Sequence, residues 1–283
     1  PNDDQLDWVG DVLQAAGRHS GAIDISRSLL TVAAKPDHKS ERLKKMAVRF
    51  LTAKRYEQAI VSFRQLISQA ESGGPEAYAY TLKQRLASVY IQAERYEEAT
   101  RYLNKMLSDL NDEFDSAIGQ FESHFRKLAE SSSSDEDRRR IERELENAKR
   151  LVRAAADPRK AEILRQMSVA YQRQSQSDVA EQRLREAHAL APESPGICND
   201  LGYSLADAGK ELEEARRLTA LAVGEEPMLA PYLDSYAWVL YKLGQFEQAR
   251  TWLEWGSSLE TGEDPVIADH LGDAQWRTGQ KEA

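Results

Sequence analysis

The sequence predicts an all-α fold, a right-handed superhelical solenoid of helix-turn-helix repeats with an extended helical hairpin in the middle. Three observations carry this prediction. A spacing of small and large residues recurs along the chain, apolar residues within each unit recur at three- and four-residue intervals, and short polar turns divide each unit in two. Because each such helix has only one apolar face, the units must pack against one another to bury it.

The recurring spacing is clearest between residues 76 and 106. There Ala87 is followed three residues later by Tyr90, twelve later by Ala99 and sixteen later by Leu103. Four further units match without a gap, a sixth has one extra residue in its turn, and a seventh begins at Leu271 and Gly272 and is cut short. The matching residues of the other units are Gly10, Leu13, Ala22 and Ser26; Ala47, Phe50, Ala59 and Phe63; Ser168, Tyr171, Ala180 and Leu184; Gly202, Leu205, Ala215 and Leu218; and Ala237, Leu240, Ala249 and Leu253.

Each unit is predicted to be a pair of antiparallel helices. Polar turns such as Ala53-Lys54-Arg55 separate the two halves. We expect the small residues to let the paired helices approach closely and the large residues to fill the space between one pair and the next. Stacking of the pairs is therefore required for burial of the apolar faces.

These units resemble tetratricopeptide repeats (TPRs), a family with a 34-residue period. The period is matched by Ser168, Gly202, Ala237 and Gly272, which are spaced 34, 35 and 35 residues apart. The resemblance covers about 3–107 and 161–283, and the terminal repeats are similar to those of bacterial TPR proteins. It implies that the first helix of each repeat lines a concave surface that binds a protein ligand.

Three segments follow from this pattern. Residues 1–107 are predicted to form about three TPR-like repeats, 161–283 about four with the last truncated, and 108–160 an extended helical hairpin or a degenerate long repeat. Whether the middle segment packs as a repeat or projects as an arm is left open, and Asp135 is expected to cap its second helix. Its first helix carries a seam formed by Leu107, Leu110, Phe114, Ile118, Phe121, Phe125 and Leu128.

Composition and charge limit the possible partners. Hydrophobic residues make up 41% and charged residues 30%, as in soluble, ordered proteins. Residues 196–283 contain 7 Lys and Arg against 16 Asp and Glu, so this third carries the whole net charge of −9 and disfavours a nucleic-acid partner. No apolar run suits a membrane helix. We expect a soluble protein, cytoplasmic or periplasmic, whose two ends look truncated.

No set of residues in the sequence indicates catalysis. Cys198 is the only cysteine, and the five histidines lack the spacing that places two metal ligands on one helix face. The sequence therefore predicts no enzyme, no metal and no cofactor. A basic stretch at 138–153 is interleaved with Glu142, Glu144 and Glu146, which predicts a salt-bridged, solvent-exposed helix face rather than a nucleic-acid site.

The resemblance selects candidate ligand contacts on the first helices of the C-terminal repeats. Aromatic residues alternate there with carboxylates, which suits a peptide with apolar anchors and Lys or Arg. The alternative is that the rings only pack between helices. The predicted peptide-binding residues are Asn199, Asp200, Tyr203, Asp207, Asp234, Trp238, Tyr241, Asp269, Asp273 and Trp276.

The predicted function is a non-catalytic protein-protein interaction scaffold or adaptor that binds a peptide or protein segment in its groove. The alternative is a regulatory or oligomerisation module of a larger enzyme or assembly. A homodimer through the 108–160 hairpin would use the seam residues Phe114, Phe121 and Phe125.

Overall fold

The structure, a computed structural model, describes residues 3–32, 36–132, 134–259 and 264–279. Within these ranges all regular structure is α-helical, and the predicted all-α repeat fold with a long central hairpin is confirmed. The helices of the described residues are α1 Asp3–Ala15, α2 His19–Val32, α3 Pro36–Thr52, α4 Tyr56–Glu71, α5 Glu76–Gln92, α6 Tyr96–Ser131, α7 Asp135–Arg173, α8 Ser177–Leu190, α9 Pro195–Asp207, α10 Leu212–Glu225, α11 Ala230–Lys242, α12 Phe246–Ser257 and α13 Pro265–Arg277.

The chain divides into two compact units, residues 1–106 (unit 1) and 107–283 (unit 2), and α6 continues from the first into the second. In unit 1 each helix from α1 to α5 packs against the next one. In unit 2 successive helices from α7 to α13 do the same. In addition, the first helices of neighbouring repeats contact each other directly, α9 against α11 and α11 against α13. The stacking that the sequence requires is therefore present in both units.

The turn inside each repeat has one geometry. The seventh residue after the small residue of the pattern has a positive φ in all seven repeats. In the second repeat, for example, Lys54 has φ 55°, and the next N–H, that of Arg55, donates to the carbonyl of Phe50 at 2.8 Å. This bond satisfies a carbonyl at the end of the first helix. The positive-φ positions are Gly17, Lys54, Glu94, Ser175, Gly209, Gly244 and Gly279.

Small residues of the pattern lie at the closest helix-helix approaches. A Cβ added to Gly202 would lie 2.7 Å from Thr219 Cγ2 and 2.9 Å from the carbonyl oxygen of Ala215, both on the paired helix α10. Gly202 therefore permits α9 and α10 to touch. The alanines at the equivalent positions of other repeats, such as Ala87 and Ala237, are completely buried.

Gly10 is small for a different reason. A Cβ at this position would lie 2.6 Å from the guanidinium Nη2 of Arg49, a side chain that is 3% exposed. That guanidinium lies 2.6 Å from Asp11 Oδ1 and donates to the carbonyl of Ala22 at 3.2 Å. A buried cation thus joins α1, α2 and α3, and the missing side chain of Gly10 makes room for it.

The long hairpin is formed by the second helix of one repeat and the first helix of the next. Helix α6 has 36 residues and α7 has 39, and α7 runs without a break through Pro158 into the repeat that follows. Lys149 Nζ lies 2.8 Å from Glu122 Oε1 and links the two helices. No helix begins or ends at residue 160, because α7 continues across it. The division of the chain into three segments at 107 and 160 stays a prediction.

The N-terminus of α7 is capped by Ser134, so the expectation that Asp135 caps this helix is wrong. The Ser134 hydroxyl accepts a hydrogen bond from the N–H of Asp137 at 3.0 Å, and Asp135 is already the first helical residue. A serine hydroxyl reaches the third N–H from the cap position as an aspartate would, so sequence alone does not choose between the two neighbours. The acidic first turn still suits the helix dipole.

Candidate functional site

A groove in unit 2 is lined mainly by the first helices of consecutive repeats, α7, α9, α11 and α13. It encloses about 400 Å³. Its apolar wall comes from aliphatic residues and one tyrosine, and its polar wall comes from one cation, two amides, four carboxylates and three serines. The apolar residues include Val169, Leu184, Tyr203, Val266 and Ile267, and the polar ones are Arg173, Gln172, Asn199, Asp200, Asp207, Asp234, Asp264, Ser168, Ser204 and Ser235.

The structure brings five of the ten predicted ligand contacts together in this groove. They are Asn199, Asp200, Tyr203, Asp207 and Asp234. The other five do not line it: two belong to a packed aromatic cluster, and three are exposed on α13. These are Trp238 and Tyr241 in the cluster, and Asp269, Asp273 and Trp276 on α13.

Asp200 is neutralised from within the protein. Arg165 Nη1 donates to Asp200 Oδ2 at 2.9 Å, from α7 to α9, and also pairs with Glu162 on its own helix. These contacts, with the hydrogen bond to Glu162 as the largest cause, raise the pKa of Arg165 above its usual value. The arginine therefore keeps its charge, and Asp200 attracts a ligand cation only weakly.

Asp234 is held by a histidine. Its Oδ1 lies 2.8 Å from His270 Nδ1, and both side chains are almost fully buried. The imidazole stacks on Trp238 with the ring centroids 4.0 Å apart, and Tyr241 also stacks on the indole, at 5.0 Å. Trp238 is only 8% exposed in this arrangement. These residues fix α13 to α11, which is the packing role that the sequence analysis kept as an alternative for the rings.

Asp207 differs from these two carboxylates. It is exposed at the rim of the groove, and within the described residues its carboxylate has no ion pair and no hydrogen bond. The nearby Lys242 Nζ contacts the backbone carbonyl of Asp207 at 3.4 Å instead. Asp207 is therefore a groove carboxylate without a side-chain partner among the described residues.

Two uncharged polar groups complete the wall. Asn199 is 7% exposed, and its side-chain oxygen is a buried acceptor without a donor, while its nitrogen donates to Asp200 Oδ1 at 3.2 Å. An unmet buried acceptor costs about 1–3 kcal/mol. Tyr203 is half-buried, and burial, helped by the charges of Asp207 and Asp234, raises the pKa of its phenol to about 12. Its ring therefore faces the cavity in the neutral form.

The sequence analysis missed the aliphatic part of the groove. Val169 lies 34 residues before Tyr203, so it occupies the same place in its repeat, and the period alone could have identified it. Val266 and Ile267 had no such signal, because they lie in the first turn of α13, where the pattern places no residue. Their position depends on how α13 packs against α11.

The described residues have no arrangement typical of a metal site, a reactive cysteine or a membrane span. There, no group of three or more His, Cys, Asp or Glu side chains is arranged to hold a metal ion. Cys198 is buried and donates to the carbonyl of Pro192 at 3.2 Å, and burial raises the pKa of its thiol. In the same part of the chain, no helix has both the length and the apolar composition needed to span a bilayer.

Comparison with known proteins supports the repeat assignment, although no protein-family model matches the chain. The TPR repeat-containing protein PA4667 of Pseudomonas aeruginosa is 26% identical over 189 residues, an alignment that covers 67% of this chain and 30% of that protein. The chain thus spans less than a third of the length of this curated relative.

Solved structures show the same fold. Pseudomonas aeruginosa pilF aligns with a TM-score of 0.51 and 12% identity, covering 96% of this chain and 97% of that chain. The assembly chaperone of RpL4 (Acl4) aligns with a TM-score of 0.50 and 19% identity, covering 100% and 98%. The chain is therefore similar to bacterial TPR-repeat proteins, and it has the all-α helical-repeat fold that its spacing of small and large residues predicts.

Proposed function

We propose that this protein is a non-catalytic interaction scaffold that binds a polypeptide segment in the groove of unit 2. The segment inserts an apolar side chain between Val169, Tyr203 and Ile267 and places a Lys or Arg beside Asp207. One observation carries the proposal: the apolar cavity of about 400 Å³ adjoins a carboxylate with no partner among the described residues. Concave sites that combine apolar surface with polar groups in fixed positions are the usual form of binding pockets.

The energies favour an apolar anchor with a charged neighbour. Burial of a Leu or Phe side chain contributes about 1.5–3 kcal/mol, which makes the cavity the main source of affinity. A rim ion pair such as Lys with Asp207 adds about 0.2–1 kcal/mol and mainly sets orientation and association rate. Asn199 supplies an acceptor that a peptide N–H can satisfy. Arg165 already pairs with Asp200, and His270 already contacts Asp234. We therefore assign to Asp207 the preference of the groove for a Lys or Arg of the ligand.

The chemistry of the groove supports a binding role without catalysis. Its histidine neighbour, His270, is held by Asp234 in a buried stack, and the Cys198 thiol is buried with a raised pKa, so neither is a free base or nucleophile. The structural neighbour Acl4 is described as an assembly chaperone of RpL4. That description supports a protein ligand for the shared fold. We propose no cofactor and no nucleic-acid ligand for the groove.

The test uses a fluorescein-labelled synthetic peptide with one leucine between two lysines, measured by fluorescence anisotropy. Val169→Gln places a polar side chain in the cavity, and Asp207→Asn removes the rim charge. Both residues are exposed in the free protein, so the fold should survive. The matched controls are Val61→Gln, at a valine that is 64% exposed on α4, and Glu225→Gln, at an exposed carboxylate of α10.

We expect Val169→Gln to weaken binding about tenfold, the equivalent of about 1.4 kcal/mol of lost apolar burial. Asp207→Asn should weaken binding about threefold and remove the preference for lysine over glutamate beside the leucine. The control variants should bind as the wild type does. Equal affinity of all four variants and the wild type would show that the peptide binds elsewhere, and the proposal would fail.

A second candidate function is self-association through the long hairpin. It is favoured by the exposure of two apolar side chains of the α6 seam, Phe121 at 40% and Leu128 at 41%. Two copies could pair these faces as in a four-helix bundle. Light scattering of wild type and Phe121→Gln would test it, since a dimer lost in the variant is expected and a monomeric wild type at high concentration would refute it.

A further inference from the structure

One exposed face of α7 has no counterpart in the function proposed so far. Arg143, Asn147, Arg150, Leu151 and Ala154 recur at three- and four-residue intervals, so they lie on one side of the helix. We call them the Leu151 face. All five are exposed, and Leu151 is 66% exposed, more than the other aliphatic side chains described in unit 2. The face is about 17 Å long at 1.5 Å per residue.

The arginines of this face are not in the salt bridges that the sequence predicts. Glu146 pairs with Lys149 at 3.2 Å, and Arg138 pairs with Asp135 at 3.2 Å. Within the described residues Arg143 has no ion pair, and Arg150 donates only to the neutral Asn147 Oδ1 at 3.3 Å. The interleaved glutamates therefore leave two guanidinium groups, those of Arg143 and Arg150, without an ion pair among the described residues, on the side of the helix that carries the exposed Leu151.

This combination is the chemistry that the groove selects. The groove offers an apolar cavity beside the unpaired carboxylate of Asp207, and the Leu151 face offers an apolar anchor beside unpaired cations. The charges of the wider surfaces agree, because residues 196–283 hold 16 Asp and Glu against 7 Lys and Arg. Leucine and arginine at helical spacing are also how a helix presents anchors to a groove.

We infer that the ligand of the groove is the Leu151 face of a second copy of this chain, an inference that rests on the proposed function. Leu151 enters the cavity next to Val169 and Tyr203, and Arg150 pairs with Asp207. A nucleic acid fits this face less well. Glu142, Glu144 and Glu146 flank the arginines on the same helix and would repel a dense row of phosphates.

The contact joins two different surfaces, so it is heterologous. Each copy that donates its Leu151 face keeps an empty groove, and each copy that receives one keeps a free Leu151 face. Such contacts extend into chains or rings rather than stopping at a dimer. This separates the inference from pairing of the Phe121 seam, which uses the same surface on both copies and stops at two.

Two double variants test it by sedimentation velocity. The face variant, Arg150→Gln with Leu151→Gln, keeps an intact groove, and the groove variant, Val169→Gln with Asp207→Asn, keeps an intact face. All four positions are exposed, so folding should be kept, and circular dichroism checks it. The control variant, Arg216→Gln with Val61→Gln, makes similar changes on other surfaces.

The wild type and the control should show species heavier than twice the monomer mass of 31.9 kDa at about 200 µM, a concentration that populates micromolar contacts. Each double variant alone should lose these species and run at 31.9 kDa. An equimolar mixture of the two should form a heterodimer of twice that mass and nothing larger, because only one productive contact remains.

Three results would overturn the inference: a monomeric wild type, self-association that either double variant retains, or a mixture that does not recover the heterodimer. The leucine-lysine peptide distinguishes this failure from failure of the groove. If the peptide binds the face variant and Val169→Gln weakens that binding, the groove function stands without the second copy. If the peptide does not bind the face variant, the groove function fails and the inference fails with it.

Discussion

Arg165 Nη1 lies 2.9 Å from Asp200 Oδ2, so the first helix of one repeat neutralises a carboxylate on the first helix of the next. Asp207, two turns further along α9, has no such partner among the described residues. Two aspartates that look alike in the sequence thus differ in their contacts: Asp200 holds two repeats together, and we propose that Asp207 meets the ligand.

Substitution of the two aspartates should separate these roles. Asp200→Asn is expected to lower the free energy of unfolding by about 0.5–1 kcal/mol, because the pair is partly exposed, and to change peptide affinity less than twofold. Asp207→Asn should leave stability unchanged and weaken the lysine peptide. Urea denaturation and peptide anisotropy measure the two quantities. The same profile from both variants would refute the assignment.

Three glycines at one position of the repeat should respond differently to alanine. Gly10→Ala and Gly202→Ala push a Cβ into Arg49 and into α10, and each should cost about 1–3 kcal/mol of unfolding free energy. Gly272 has nothing within 4 Å of its added Cβ, so Gly272→Ala should be neutral or stabilise by about 0.5–1 kcal/mol. Thermal and urea unfolding of the three variants test this. A uniform effect would mean that helix propensity, not close approach, sets the preference for small residues.

The two predicted anchor tryptophans should differ in the same kind of experiment. Trp238 is 8% exposed and stacks with His270 and Tyr241, whereas Trp276 is 62% exposed. Trp238→Ala should lower the free energy of unfolding by about 3–5 kcal/mol, and Trp276→Ala should change it by about 0.5 kcal/mol at most. Denaturant titration gives both values. A stable Trp238→Ala protein with lost peptide binding would instead restore Trp238 as a ligand contact.

Alkaline stability should depend on Tyr203. The fold raises the pKa of its phenol from 10.0 to about 12, so the folded state favours the neutral form. The resulting stabilisation is complete below pH 10 and is lost as the pH rises to about 12. Relative to wild type, Tyr203→Phe should therefore gain stability across this window. Urea denaturation of both proteins over a pH series measures the difference, and a constant difference would show that Tyr203 ionises normally.

The repeat fold could be predicted from spacing because each repeat needs small residues at the same helix contacts and the same turn geometry. Ala87 and Ala237 are buried at helix contacts, and the carbonyl of Phe50 closes a turn whose geometry recurs at Gly244. Because the pattern is repeated seven times, these requirements can be recognised in a single sequence. The reason for a particular small residue is less visible, since Gly10 accommodates an arginine that lies 39 positions away.

The groove could be predicted only in part. The period placed Asn199, Tyr203 and Asp207 on one surface, but pairing between repeats decided which carboxylate has no side-chain partner among the described residues. Arg165 and His270 each contact an aspartate 35 or 36 residues away, and the choice of partner depends on how the helices pack. The continuous helix α7 was hidden for a similar reason, because the change of pattern near residue 160 does not show that a single helix runs across it.

The most direct test of the groove is an unbiased selection of ligands from a library of random displayed peptides. We predict that the enriched peptides carry a large apolar residue next to Lys or Arg, and that they enrich on wild type and Val61→Gln but not on Val169→Gln. Enrichment of acidic peptides, or equal enrichment on all three proteins, would contradict the proposal that a ligand places an apolar side chain in the cavity and a Lys or Arg beside Asp207.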